Sequence, residues 1–257
     1  MFFGTGLAEA YGSVFLALIS IVMATFVAMP FHEFAHAWAA RSEGDFTSVA
    51  HKRYTLAPHA HFDFLGFVFL VLFRFGWAKP VPIDSRNFRN GRKSQFKVAI
   101  AGILMNLFLG TFFLFMYMFL FRFFPNVYRV KFYGQLLYNF LTISVSFNYM
   151  LAFFNLLPIY PLDGYRIIDS FCRYENGFLR FMKTYSLIIY LVFAFSDLYY
   201  YYYLYTGGLL VEGFTKLFTL ILGFWYGRDY SRKRTRNYQT RRGSRKTRTC
   251  FWYVKIR

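Results

Sequence analysis

The chain has 257 residues, 57% of them hydrophobic, and a formal net charge of +18. Length alone excludes little, since a soluble domain of this size could bury a good core, but the distribution of apolar residues is decisive. Residues 14–31, 98–121 and 136–158 contain no charged side chain, and a soluble fold would need no such runs.

Each run is long enough to cross the hydrocarbon layer as a helix, which satisfies its own backbone groups where water is lacking. Residues 1–13 hold no Lys or Arg, so the first run lacks the basic flank of a cleaved signal peptide and is expected to persist as a helix over residues 7–40. The 41–97 connection is polar and basic. Within it, the ten-residue apolar run from Phe64 to Phe73 is too short to span, which suits a re-entrant or interfacial segment. Its Phe and Val content favours strand over helix. Gly76, Pro80 and Pro82 then punctuate the stretch GWAKPVPID, so a re-entrant, β-like loop is expected near residues 62–83.

The next spans are 98–121 and 136–158, and the 122–135 join is too short to hold a domain. Beyond about Lys183, Asp197 interrupts a candidate span near 187–205, and Glu212 and Lys216 interrupt the start of another near 209–226. Those two are spaced i,i+4 and can neutralise each other on one helix face. Five consecutive tyrosines at 199–203 favour the headgroup level, and the region reads as a helical hairpin. The expected fold is thus an all-α polytopic membrane protein with about five to six transmembrane helices. A membrane-embedded domain would cover residues 1–227, followed by a disordered basic tail over 228–257.

A charge of +18 suits either nucleic acid or membrane topology. Topology fits better, because the basic residues cluster in 41–97, 159–183 and the tail, while 122–135 holds only Arg122, Arg129 and Lys131. The positive-inside rule places the basic segments in the cytoplasm, with the C-terminus inside and the N-terminus outside; the cell membrane is the expected location. No nucleic-acid partner is expected. Cys172 and Cys250 are too few and too far apart for a disulfide framework or a thiolate zinc site, and read as ordinary thiols.

Residues 32–36 read His-Glu-Phe-Ala-His. On a helix, His32 and His36 face the same way, so two imidazoles can share one metal ion, and Glu33 lies beside them to handle a proton of water. His and Glu against an apolar run are costly in a membrane and are functional by default. Pro30, just before them, removes a backbone donor and can open the helix. Catalytic zinc usually has three protein ligands and one open position. Downstream, NLLPIYPLDG carries Asp163 after Pro158 and Pro161, where Gly164 permits a tight turn. Asp163 could complete the ligand set or simply cap a helix in that turn.

In order along the chain, HEFAHAWAA, GWAKPVPIDSRNFRN, AIAGILMN and FNLLPIYPLDG resemble the motifs of the site-2 protease family of intramembrane zinc metalloproteases, and the match covers roughly residues 14–170. The short 122–135 loop is similar to that of the compact branch without a PDZ domain. The resemblance implies one Zn²⁺ per chain held by His32, His36 and Asp163, with Glu33 as base. It also implies that Asn155 points into the site and polarises the scissile carbonyl of a transmembrane substrate protein. Asn106 and Asn148 read instead as helix-packing residues. The chain departs from the family pattern at Ile103, where proline is common, and at Ala57 and His59. His51, His59 and His61 could bind metal, but a His-x-His loop pair reads more readily as solvated.

An extended substrate could pair with Phe67–Phe73 by strand addition. The tail reads as an anchor to anionic lipid, and the terminal FWYVKI could rest at the bilayer interface. Two other functional classes fit parts of the sequence. A catalytically inactive scaffold for membrane proteins is disfavoured by the intact HEFAH and Asp163. A metal-containing transporter is disfavoured by three spans without a charge.

Overall fold

The computed structural model describes residues 3–73, 78–195 and 198–240, with side chains over 14–69, 78–192 and 201–223. Among the described residues every regular element is helical. The α-helices are α1 (Phe3–Ser42), α2 (Thr47–Ala50), α3 (Pro58–His61), α4 (Phe64–Phe73), α5 (Arg92–Phe123), α6 (Lys131–Asn155), α7 (Asp163–Phe171), α8 (Gly177–Thr184), α9 (Ser186–Phe195) and α10 (Leu198–Thr240). Four segments are long and apolar enough to cross a membrane: Val14–Ser42, Arg92–Phe123, Lys131–Asn155 and Tyr201–Gly223. The chain divides into two compact units, Met1–Thr215 and Lys216–Arg257, and the described part of the second is wholly helical.

Two expectations change. Phe64–Phe73 is a helix, not a strand. The run has no apolar–polar alternation to hold a strand register, and Asp63 starts a helix instead. Its side chain accepts the Gly66 N–H at 2.8 Å and its carbonyl accepts the Phe67 N–H at 2.9 Å. A helix uses its backbone groups internally, so Phe67–Phe73 offers no edge for strand addition. Gly76 lies outside the described residues. The expected hairpin is also replaced, because α10 runs unbroken through Gly207 and Gly208. Two glycines cost a helix about 2 kcal/mol, but no proline or polar turn accompanies them to end it. Asp197 lies outside the described residues, and among those described four candidate spans stand where five to six were expected. The first part of the basic tail, 228–240, continues α10, and 241–257 lie outside the described residues.

The spans that build the interior pack through narrow stripes. On α1, Ser20, Ala24, Ala28, His32 and His36 recur every four residues and are all buried. On α5 the stripe is Ser94, Val98, Gly102, Asn106 and Gly110. Small side chains let helix backbones approach closely where lipid offers no hydrophobic drive between helices. Ala28 packs against Phe147 of α6, and Ala39 and Ala40 pack against Val98 of α5. Gly110 faces the ring of fully buried Tyr149, whose hydroxyl meets Thr111 Oγ1 at 2.9 Å.

A polar clasp locks the end of α1 to the start of α5. Glu43 takes hydrogen bonds from Lys97 Nζ at 2.6 Å, Ser94 Oγ at 2.5 Å and Asn90 Nδ2 at 3.3 Å, and its carbonyl accepts the Arg89 N–H. Asp45, also buried, accepts from Thr47, Asn87 and the Asp84 backbone. Burial acts to raise the Asp45 carboxyl, and the Thr47 and Asn87 hydrogen bonds outweigh it, so the group is held below its ordinary range. The hydrogen bond from Lys97 and the one from Ser94 push the Glu43 carboxyl down from 4.5 to about 2. A lowered folded-state pKa contributes stability that is complete above the unfolded value and is lost as pH falls toward the folded one. Glu43→Gln is therefore expected to melt below the parent in detergent at neutral pH. The gap should close as pH drops from 4.5 toward about 2, and thermal unfolding across that range checks it.

Candidate metal centre

The α1 stripe that carries Ala24 and Ala28 continues at the same spacing into His32 and His36, so the two rings enter the bundle on the helix's buried face. They meet edge to face, with centroids 4.6 Å apart. Asp163 arrives from the first turn of α7. Its Oδ2 lies 3.4 Å from His32 Nε2 and 3.1 Å from His36 Nε2, and the two nitrogens are 3.1 Å apart. All three residues are buried.

The surroundings orient His36 and bear on the charge of Asp163. His36 Nδ1–H donates to the Val98 carbonyl at 2.7 Å, which leaves Nε2 as the ring nitrogen turned toward His32 and Asp163. Burial acts to raise the Asp163 carboxyl, but the adjacent His36 and His32 rings outweigh it and keep the group ionised. Asp163 Oδ2 takes no hydrogen bond from a protein donor, although it is fully buried. A buried carboxylate oxygen set between two ring nitrogens, with its hydrogen bonding unmet, suits a cation. Ligand atoms of a tetrahedral zinc site, with bonds of about 2.0–2.1 Å, stand roughly 3.3–3.4 Å apart. The observed edges of 3.1 to 3.4 Å fit that ion, and two imidazole donors suit it better than calcium, which takes oxygen ligands.

Two glycines make the triangle possible. A Cβ on Gly102 would stand 2.4 Å from His36 Nε2 and 2.6 Å from His32 Cε1. Only a residue without a side chain lets α5 lie against the two rings. A Cβ on Gly164 would stand 2.2 Å from the Leu156 carbonyl oxygen, so the chain after Asn155 must fold back tightly to present Asp163. Sequence reasoning set Gly164 in a turn but gave Gly102 no role. Its signal was present in the four-residue spacing of Val98, Gly102 and Asn106, which puts a glycine on the interior stripe of a membrane helix.

Glu33 lines a cavity of about 380 Å³ together with His32, His36 and Asp163. Its Oε2 accepts the Val81 N–H at 2.8 Å. The irregular segment that carries Val81 is tied down at Lys79: its N–H donates to the His61 carbonyl, and Arg53 Nη2 donates to its carbonyl. Sequence reasoning placed turns here and missed the contact with Glu33, since a backbone donor leaves no trace in residue type. Asn155 lies in the wall of the same cavity, with Nδ2 donating to the Leu151 carbonyl at 3.0 Å. Asn106 and Asn148 are fully buried in the helix interior and are not among the cavity's lining residues. His51 and His59 are exposed and stand apart from the three ligands. His61 departs from the expected solvation: it is buried, because Nε2–H reaches the Thr55 carbonyl at 2.7 Å.

The chain is 32% identical over 179 residues to a Bacillus subtilis (strain 168) protein named "Putative zinc metalloprotease YwhC". The aligned region covers 69% of this chain and 81% of that protein. No family model matches the chain, and no solved structure matches it significantly.

The close approach at Gly102 sets a direct test. Gly102→Ala pushes a methyl group into both imidazoles, so the variant is expected to purify with much less zinc than the parent after mild chelation. Gly177→Ala, where nothing lies within 4 Å of the added carbon, is expected to keep the parent's zinc content. Elemental analysis of the two variants at matched monodispersity checks both.

Proposed function

This chain belongs to the zinc metalloprotease family that includes YwhC, and from that premise we propose that it is an intramembrane protease of the site-2 type. In this reading it belongs to the branch without a PDZ domain and hydrolyses peptide bonds of transmembrane substrate proteins. The observation that carries the proposal is the ligand triangle itself. Its two histidines extend the buried stripe of a candidate membrane span, and they border a cavity large enough for a stretch of unwound peptide.

His32, His36 and Asp163 hold one zinc ion in this reading. Zinc, when bound in such a site, lowers the pKa of a coordinated water to about 7 and polarises a carbonyl. The chain's own residues supply proton handling and alignment. Glu33 takes the proton of the attacking water and returns it to the leaving amine. The Val81 N–H occupies Oε2 and fixes the plane of the carboxylate, so Oε1 is the oxygen that moves the proton. Asn155 spends one amide hydrogen on its own helix and keeps the other for the substrate carbonyl. In this reading α4, too short to span, dips into the bilayer beside the bundle, and the Val81 segment lines the cavity next to the three ligands.

Substrate helices hide their peptide bonds and must unwind before they can enter. The basic segments lie on the cytoplasmic side of the cell membrane, and the tail adds contact with anionic lipid, at about 1 kcal/mol per basic residue near the surface. A cysteine placed at Ser231 is then expected to resist an impermeant label in intact cells and to react in inverted vesicles. Labelling from outside intact cells would overturn this orientation.

Glu33→Gln separates ligand from base. The variant keeps the size of the side chain and can keep the hydrogen bond from Val81, but it has no basic carboxylate. It is expected to retain about one zinc per chain while cleaving no reporter substrate. Metal content and cleavage measured on one preparation check the claim. Parent-like cleavage by this variant would overturn the role of Glu33.

A further inference from the structure

We propose that Arg166 is the specificity residue of this site and binds a carboxylate side chain of the substrate beside the cut bond. The inference rests on the protease reading above. Arg166 follows Asp163 by three residues on α7, so the two side chains lie one turn apart on neighbouring faces of the helix. Arg166 lines the same cavity as the ligand triangle and Glu33, and it is the cavity's single cationic side chain among the described residues.

The acids that could neutralise it are engaged elsewhere. Asp169, one turn further along α7, accepts from Gln95 Nε2 at 2.7 Å. Glu33 is held by Val81. Glu175 lies 3.7 Å from Lys183. Asp163 directs Oδ2 at the two histidines. Arg166 itself is exposed, and no ion pair to it exists among the described residues.

A guanidinium left free in a cleft walled by Met29, Leu151 and Phe154 sits where low-dielectric surroundings strengthen its field. Its planar fork suits a carboxylate, which it can grip with two parallel hydrogen bonds. The same charge repels Lys and Arg, the residues that commonly flank the cytoplasmic ends of membrane spans, so it discriminates against as well as for. The new C-terminal carboxylate of the product is a second possible anion. It forms with every substrate and is blind to side-chain changes, so the test below tells the two apart.

The experiment uses the full chain, loaded with zinc, in detergent. Single-span reporters carry Glu, Gln or Lys in turn at each position flanking the cleaved bond, and kcat and KM are measured for each. At one position the parent is expected to show KM lower for Glu than for Gln by about fivefold, the scale of a partly solvated ion pair, with kcat little changed. Arg166→Glu is expected to invert the order and favour Lys at that same position, while Arg166→Lys keeps the parent's preference in weaker form. A parent that cleaves every reporter with equal KM overturns the inference and leaves the protease reading standing. So does an Arg166→Glu enzyme that loses the same factor in kcat on all reporters, which marks a structural or product-binding role. A zinc-loaded parent that cleaves none of them overturns the protease reading and this inference with it.

Discussion

The distance between α1 and α5 at the level of Gly102 governs the rest of the structure. Two imidazoles fill the space between the helix backbones, and any side chain at that position would displace them. Helices in a bilayer gain little from hydrophobic burial against each other, so close approach has to come from shape. The alternation of Ala24 and Ala28 with the histidines on one helix, and of Val98 with Gly102 on the other, supplies that shape. The same contact also sets chemistry, because the Val98 carbonyl at this crossing receives His36 Nδ1–H and thereby chooses which ring nitrogen faces the ligand cluster.

The polar clasp holds that crossing in register. Glu43 and Asp45 lie just beyond the end of α1 and gather donors from α5, from the Ser85–Asn87 turn and from α2. Each bond is modest alone, but a buried carboxylate with several donors tolerates little displacement. A shift of one helix along the other would strand those charges and break the alignment of His36 with Val98 together. The His32–His36–Asp163 triangle and the clasp are thus two ends of one interface, apolar and close-packed between them.

Much of this was legible in the residues. Charge-free runs gave the three spans that form the bundle, and i,i+4 spacing gave the shared direction of His32 and His36. Asp163 was harder. A carboxylate after two prolines and before a glycine suits a turn cap as well as a ligand, and only the folded chain brings it to 3.1 Å from His36. The helix at Phe64–Phe73 was misread because composition outweighed its start signal, Asp63, whose side chain caps the first turn. Among the described residues four candidate spans stand where five to six were expected, because residues 198–240 form one continuous helix rather than the ends of two. Contacts made by backbone atoms, such as Val81 N–H with Glu33, are invisible to any reading of side-chain types.

The ligand triangle joins chain positions far apart in synthesis, since Asp163 follows His36 only after α5 and α6 have been made. No fragment of the chain holds more than two of the three donors until α7 has docked. Cation affinity is consequently a property of the assembled bundle, and binding free energy adds to the stability of the fold by mass action. An ion held by the three groups would then act as a molecular proofreader, since a bundle in the wrong register could not retain it.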